Sequence, residues 1–219
     1  MNWLFGSAKR SMITPGDALP GRPSPGYDTP DMHSVLGTSL SGPWPDNPEV
    51  IYLGMGCFWG AEKKFWRLPG VVSTSVGYMG GFTPNPTYEE VCTGRTGHTE
   101  TVMVAYDPSL LTTYDVLKVF WENHDPTQGF AQGNDIGTQY RSALYWTTEQ
   151  QHEVADATRD AYNGVLAARG FDPITTEIAP AADRPYYLAE DYHQQYLFKN
   201  PHGYDCHAHT GIDLPPLVA

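Results

Sequence analysis

The sequence predicts an α+β fold, a layer of helices on a mixed or antiparallel sheet. Three observations carry this. Short apolar runs of strand length recur along the chain, and helical periods fall between some of them but not all, in the order β-α-β, β-α-β, α, β, α. The strict βα alternation of a doubly wound parallel sheet is missing. Two Gly- and Pro-rich loops, "MGGFTPNPTYEEVCTGRTG" and "HDPTQGFAQGNDIG", exceed the roughly 12 residues usual for a plain connection, and loops of that length are commonly functional.

The elements follow in order. Residues 1–46 are rich in Pro and Gly ("ITPGDALPGRPSPGYDTP") and lack apolar period, so they read as an irregular arm laid on a domain and ordered partly by Leu19 and Tyr27. Val50–Leu53 is a short buried strand. Phe58–Leu68 is a helix stopped by Pro69-Gly70. Val71–Tyr78 alternates as a strand, and the first long loop after it has room for one helical turn. Thr99–Tyr106 alternates over eight residues and is a strand. Tyr114–Asn123 is a helix with Val116, Leu117 and Phe120 on one face. Thr138–Trp146 is a strand. Glu149–Arg169 is the longest helix, with Thr148 as N-cap and Gly170 as its stop. Ile174–Ile178 is a strand, Tyr187–Phe198 a helix, and the rest a coil. The expected organisation is an arm (1–46), one catalytic domain (47–199) and a C-terminal coil (200–219).

The 219 residues suffice for one well-buried core, and 40% apolar against 17% charged residues argues against disorder. A formal net charge of −12 disfavours a nucleic-acid or anionic-membrane partner. No segment has the roughly 18 apolar residues of a membrane span, and "MNWLFGSAKRSM" lacks a signal-peptide core. Three cysteines make no disulfide framework. The chain therefore reads as cytoplasmic, where cysteines in pairs are more often redox-active than structural.

One cysteine stands out. In "GMGCFWGAE", Cys57 sits where a buried strand turns into a helix, followed by Phe58 and Trp59. A helix start stabilises a thiolate, the aromatics supply apolar surface beside the sulfur, and Gly56 and Gly60 let the backbone approach a ligand. Three other readings compete. A buried structural cysteine is the blandest. A dinucleotide loop is faintly echoed by the glycines, but Cys-Phe-Trp would block a pyrophosphate, and no acidic residue follows at about 20 positions. A cysteine hydrolase would need a histidine base, and His98, His124 and His193 are equally eligible.

Four blocks in order, "GCFWGAE", "GYMGGFTPNPTYEEVCTGRTGHTE", "FWENHDPTQGFAQGNDIGTQYRSALY" and "YYLAEDYHQQYLFKNPHGY", resemble the peptide methionine sulfoxide reductase A family from about Ile13 to about Thr210. The resemblance implies a two-layer, ferredoxin-like α/β plait. It implies reduction of the S epimer of methionine sulfoxide, free or in proteins, by a monomer with no metal, flavin or other cofactor. It makes Cys57 the nucleophile, which passes through a sulfenic acid, and Glu100 the acid, kept protonated by an apolar pocket. Phe58 and Trp59 would hold the substrate methyl group, Tyr88 and Tyr140 the sulfoxide oxygen, and Asp135 would be a polar member of the same site. Taken singly, Glu100 reads as an exposed strand opener and the two tyrosines as core or turn aromatics. His98, His193 and Glu190 are assigned to structure, and Cys92 to a small buried position with no redox role.

The family closes a disulfide with a tail cysteine after "NPxGY". Here the tail reads "NPHGYDCH", so Cys206 is implied as the resolving thiol, with Asp205 inserted before it and no further cysteine behind it. The implied reductant is thioredoxin, or a mycothiol- or glutaredoxin-type system. The alternative for this stretch is a zinc site from His202, Cys206, His207 and His209, crowded for a closed tetrahedron.

Overall fold

The computed structural model describes residues 10–206 and 208–217. Its core is a six-stranded sheet in the order β7-β6-β1-β3-β2-β8. β1 (Glu49–Met55) lies between β3 (Thr99–Tyr106) and β6 (Ser142–Trp146), antiparallel to both, with Leu53 opposite Val102 and Leu144. β2 (Val71–Met79) flanks β3 on the other side, also antiparallel. β7 (Glu177–Pro180) extends β6 in parallel, which makes the sheet mixed.

Period two decides what each face carries. On β3, Val102, Val104 and Tyr106 enter the main core under the helices, so Glu100, in phase with them, is carried into the same layer. Three helices cover that face: α1 (Phe58–Phe65), α3 (Thr113–Glu122) and α4 (Glu149–Ala167). A one-turn helix, α2 (Tyr88–Cys92), sits in the first long loop. Capping sets the helix starts: Thr87 with Glu90, and Thr112 with Asp115, form reciprocal capping boxes, and Thr148 caps α4 through the Gln151 amide. Gly170, at φ +82°, turns the chain out of α4.

Several elements differ from their sequence reading. The expected strand Thr138–Trp146 begins as a 3₁₀ turn, Thr138–Tyr140, and extends only from Ser142. The second long loop contains a two-stranded hairpin, β4 (Ala131–Gln132) with β5 (Asp135–Ile136). The strand expected over Ile174–Ile178 starts later, at Glu177. The helix expected over Tyr187–Phe198 is not formed as such. Tyr187–Leu188 is β8, paired with Gly77 and Tyr78 at the edge of β2, and only Tyr196–Lys199 is helical (α5). The reason is a side chain acting as backbone. Gln194 accepts from the Val76 amide (3.0 Å) and donates to the Val76 and Ala189 carbonyls (2.8 and 2.9 Å), which satisfies the sheet edge beyond β8.

Residues 10–48 run over the molecule with little regular structure. The Leu19 amide donates to the Arg95 carbonyl, and the Tyr27 hydroxyl donates to the carbonyls of Pro86 and Leu188. Arg22 grips the Glu90 carboxylate with two nitrogens, at 2.9 and 2.6 Å.

A buried carboxyl joins this arm to α1. Glu62 is fully buried and accepts from Thr74 Oγ1 (2.9 Å), Gln195 Nε2 (2.8 Å) and the Gln195 amide (2.9 Å). His33 Nδ1 accepts from the Val35 and Leu36 amides, so its Nε2 carries the proton and donates to Thr74. One carboxyl thus ties α1, β2, the arm and the segment before α5. Burial outweighs its three donors and pushes its pKa up to about 7.

A carboxyl raised in the folded state binds a proton that the unfolded chain has already released. Its contribution to stability is therefore lost as pH rises from about 4.3 toward that folded value. At pH 5 the protonated oxygen of Glu62 still accepts a hydrogen bond, whereas the NH₂ of Glu62→Gln cannot and leaves one of the three donors unpaired, which should cost about 1–3 kcal/mol in urea denaturation. That penalty should shrink toward pH 8, because only the parent then carries a buried charge; a penalty independent of pH would contradict this account.

Candidate active site

β1 ends in a tight turn, and α1 begins from it. Gly56 adopts φ +85°, and a Cβ there would come within 2.6 Å of Gln132, whose amide is closed onto the Asp125 backbone. What this glycine approaches is the β4–β5 hairpin. The next residue, Cys57, is the N-cap of α1 and 9% exposed. Gly60 likewise makes room for protein: a Cβ there would meet Asp205 Oδ1 at 2.7 Å and the Cys206 carbonyl at 3.1 Å.

The amide of Phe58, unpaired within the helix as first-turn amides are, donates to Glu100 Oε2 at 3.0 Å. Glu100 is 1% exposed, unlike the exposed strand opener of the bland reading. Burial, reinforced by the charge of Asp135 and opposed by the Phe58 amide, pushes its pKa up to about 8, so it holds its proton at neutral pH. The thiol of Cys57 is not a stabilised thiolate, as its helix-start position alone suggested. Burial first, and then the charge of Glu100, push its pKa well up, and the Trp59 amide pulls it back only in part.

Aromatic side chains wall the cysteine. Phe58 lies 5.9 Å from the ring of Tyr78 and 5.3 Å from that of His193. Trp59 is half-buried and stacks on Tyr196 at 3.8 Å between centroids. Its Nε1 donates to His193 Nδ1 at 3.0 Å. Tyr88 opens α2, with its ring 4.4 Å from that of His193 and its amide bonded to Glu190 Oε1 at 2.8 Å. Glu190 also accepts from the Tyr78 hydroxyl at 2.7 Å, so His193 and Glu190 brace the aromatic wall. Tyr140, in the 3₁₀ turn, is half-buried, and both phenols are pushed up by burial and then by the charge of Glu100. Asp135, on β5, raises the Cys57 and Tyr140 groups by its charge and accepts from the Tyr204 hydroxyl at 3.2 Å on each oxygen.

The tail reaches this cluster. Cys206 is half-buried, with Sγ 3.8 Å from the Gln132 carbonyl. Burial raises its pKa and the charge of Asp135 adds to it, while the adjacent Asp205 pairs with Lys63 Nζ at 3.0 Å. The structure therefore brings together Cys57, Phe58, Trp59, Tyr88, Glu100, Asp135, Tyr140 and Cys206, with all three cysteines as thiols.

Cys92 is half-buried rather than buried, and it hydrogen-bonds Tyr88 across one turn of α2. His98 is buried between the Gly81 amide (3.0 Å) and the Thr83 carbonyl (2.8 Å), and His124 between the Phe120 carbonyl and Ser142, so neither faces Cys57 as a base. His207 lies outside the described residues, and among those described no group of three or more His, Cys, Asp or Glu gathers as a metal site. Sequence reasoning missed Gln132, Tyr204, Tyr196 and Lys63, whose partners lie far away in the chain; the Gly60 spacing was a signal, but for the tail rather than a ligand.

A family model for peptide methionine sulfoxide reductase matches residues 49–215. The peptide methionine sulfoxide reductase MsrA of Salinispora arenicola is 60% identical over 213 residues, covering 96% of each chain. Its counterpart from Salinispora tropica is 60% identical over 215 residues, again covering 96% of each. The solved structure of methionine sulfoxide reductase A of Corynebacterium diphtheriae is similar, with a TM-score of 0.82 and 50% identity over 94% of this chain and 100% of that one. A thiol at a helix start, a buried protonated carboxyl bonded to the next amide, and full-length similarity at this level place the chain in the peptide methionine sulfoxide reductase family.

Proposed function

We propose that this chain reduces the S epimer of methionine sulfoxide, free or in proteins, to methionine and so repairs oxidised proteins. The observation that carries the reading is Glu100, buried and protonated beside Cys57 on the amide of Phe58. Cys57 Sγ is the nucleophile. The sulfoxide S–O bond breaks and a Cys57 S–O bond forms. The thiol is oxidised to a sulfenic acid, the sulfoxide is reduced to the thioether, and the thiol proton ends on the sulfenic oxygen. Glu100 donates to the sulfoxide oxygen as it takes up charge, and at neutral pH its own charge is absent, which removes one cause of the raised Cys57 pKa. Tyr88 and Tyr140 stay protonated and serve as further donors to that oxygen. Phe58 and Trp59 take the methyl group, and Asp135 completes the polar side.

Cys206 then resolves the sulfenic acid as a Cys57–Cys206 disulfide. Thioredoxin, or a mycothiol- or glutaredoxin-type reductant, restores the thiols of a monomeric, cytoplasmic enzyme without metal or other cofactor. The three thiols fit a reducing compartment, and among the described residues no helix is long and apolar enough to cross a membrane. Residues 1–46, 47–199 and 200–219 act as arm, catalytic domain and redox tail; a family match that begins at residue 49 supports the first boundary. The strands β6-β1-β3-β2, with α1 joining β1 to β2, support a ferredoxin-like plait as the core of the sheet.

Turnover of the two sulfoxide epimers with dithiothreitol tests the activity directly: the S epimer should be consumed and the R epimer left. In single turnover, Glu100→Gln should lose about 10²–10⁴-fold. The parent rate should fall as pH rises through about 8, where the acid loses its proton, and that limb should vanish in the variant. A Gln variant at the parent rate would remove Glu100 from the mechanism.

The cysteines separate by thiol counting. Cys57→Ser should abolish reduction and Cys92→Ser leave it nearly intact. One equivalent of sulfoxide should take the three thiols to one in the parent. Cys206→Ser should still release one methionine and then stall with thioredoxin. Loss of two thiols in Cys206→Ser would instead make Cys92 the resolving partner.

A further inference from the structure

The inserted Asp205 is built into the fold. The tail crosses α1 at Gly60, where any side chain would strike Asp205 and the Cys206 carbonyl. Three residues on, Lys63 in the last turn of α1 holds Asp205 Oδ2 at 3.0 Å, with both side chains largely buried (26% and 19% exposed). Lys64 and Arg67 line the same cleft, about 230 Å³, so the pair sits in a locally cationic patch of a chain of net charge −12. One residue before Asp205, the Tyr204 hydroxyl is bonded to Asp135 on β5, and Cys206 Sγ itself lies 3.8 Å from the Gln132 carbonyl. The two residues that lead into Cys206 are thus tied to the hairpin and to the helix whose N-cap is Cys57.

We propose that Lys63 and Asp205 are positioning residues for the resolving step, their ion pair holding Cys206 against the helix that carries the reacting sulfur. This rests on the assignment of Cys57 as nucleophile and Cys206 as resolving thiol. In that step Cys206 gives up its proton and its sulfur attacks the Cys57 sulfenic sulfur. The S–S bond forms, the S–O bond breaks, and the hydroxide leaves with the proton as water, with no further co-reactant. A tail that swings free spends only a fraction of its time within reach, and the rate falls by that fraction.

Quenched-flow single turnover with methionine sulfoxide, read both as methionine released and as thiols remaining, tests this. Lys63→Met and Asp205→Asn should release methionine at the parent rate, while the fall from three thiols to one slows by roughly two- to fivefold, the scale of one ion pair. About 1 M salt should slow the parent's second step and barely affect the variants, since it screens only an intact pair. The exchange Lys63→Asp with Asp205→Lys should recover part of the rate. A second step at the parent rate in both single variants, or equal slowing of both steps, overturns the proposal. Failure of the parent to release methionine overturns the reading of Cys57 beneath it; release with all three thiols but Cys57 intact overturns that of Cys206.

Discussion

The hydrogen bond from the Phe58 amide to Glu100 sets the rest of the site. It joins the first turn of α1 to the central strand β3, and so fixes where Cys57 lies relative to a buried carboxyl. Strand periodicity alone puts Glu100 in the layer of Val102 and Val104, a costly place for a charge. One amide offsets part of that cost but not enough to keep the group ionised, and the outcome is a carboxylic acid that holds its proton to about pH 8. Stability is given up in return for a proton donor beside the sulfur.

The helix that begins at Cys57 anchors everything around it. Its start binds Glu100, and Glu62 gathers the arm, β2 and the segment before α5. Gly60 and Lys63 receive the tail. Each contact on α1 involves a residue distant in sequence, so the short helix owes its position to tertiary bonds rather than to its own eight residues. The two buried carboxyls behave differently because their surroundings differ. Glu62 meets three donors and is held lower, at about 7, whereas Glu100 meets one, with the charge of Asp135 nearby.

Elements with a local signal were legible in the sequence. β3 spans Thr99–Tyr106, the run whose alternation marks it, and α4 starts at its Thr148 cap. Tyr187–Phe198 was misread because its apolar spacing suits a helix, while the bonds that decide it run from Gln194 to Val76, 118 residues away. Cys57 was legible from its turn, but the state of its thiol was not, because burial is tertiary and exceeds the effect of a helix start. Glu100, Tyr88 and Tyr140 were singled out only by motif resemblance, since taken alone each has an ordinary structural reading. Nothing local marks Glu62, Gln132 or Lys63 as partners of residues far along the chain.

The central claim is that Glu100 is a neutral acid in the resting protein. The direct measurement is a pH titration of its carboxyl carbon by NMR on protein labelled with ¹³C-glutamate, assigned by the loss of one signal in Glu100→Gln. The account predicts a midpoint near pH 8, with the carboxyl protonated at neutrality. A midpoint in the ordinary range, about 4.3, would contradict it.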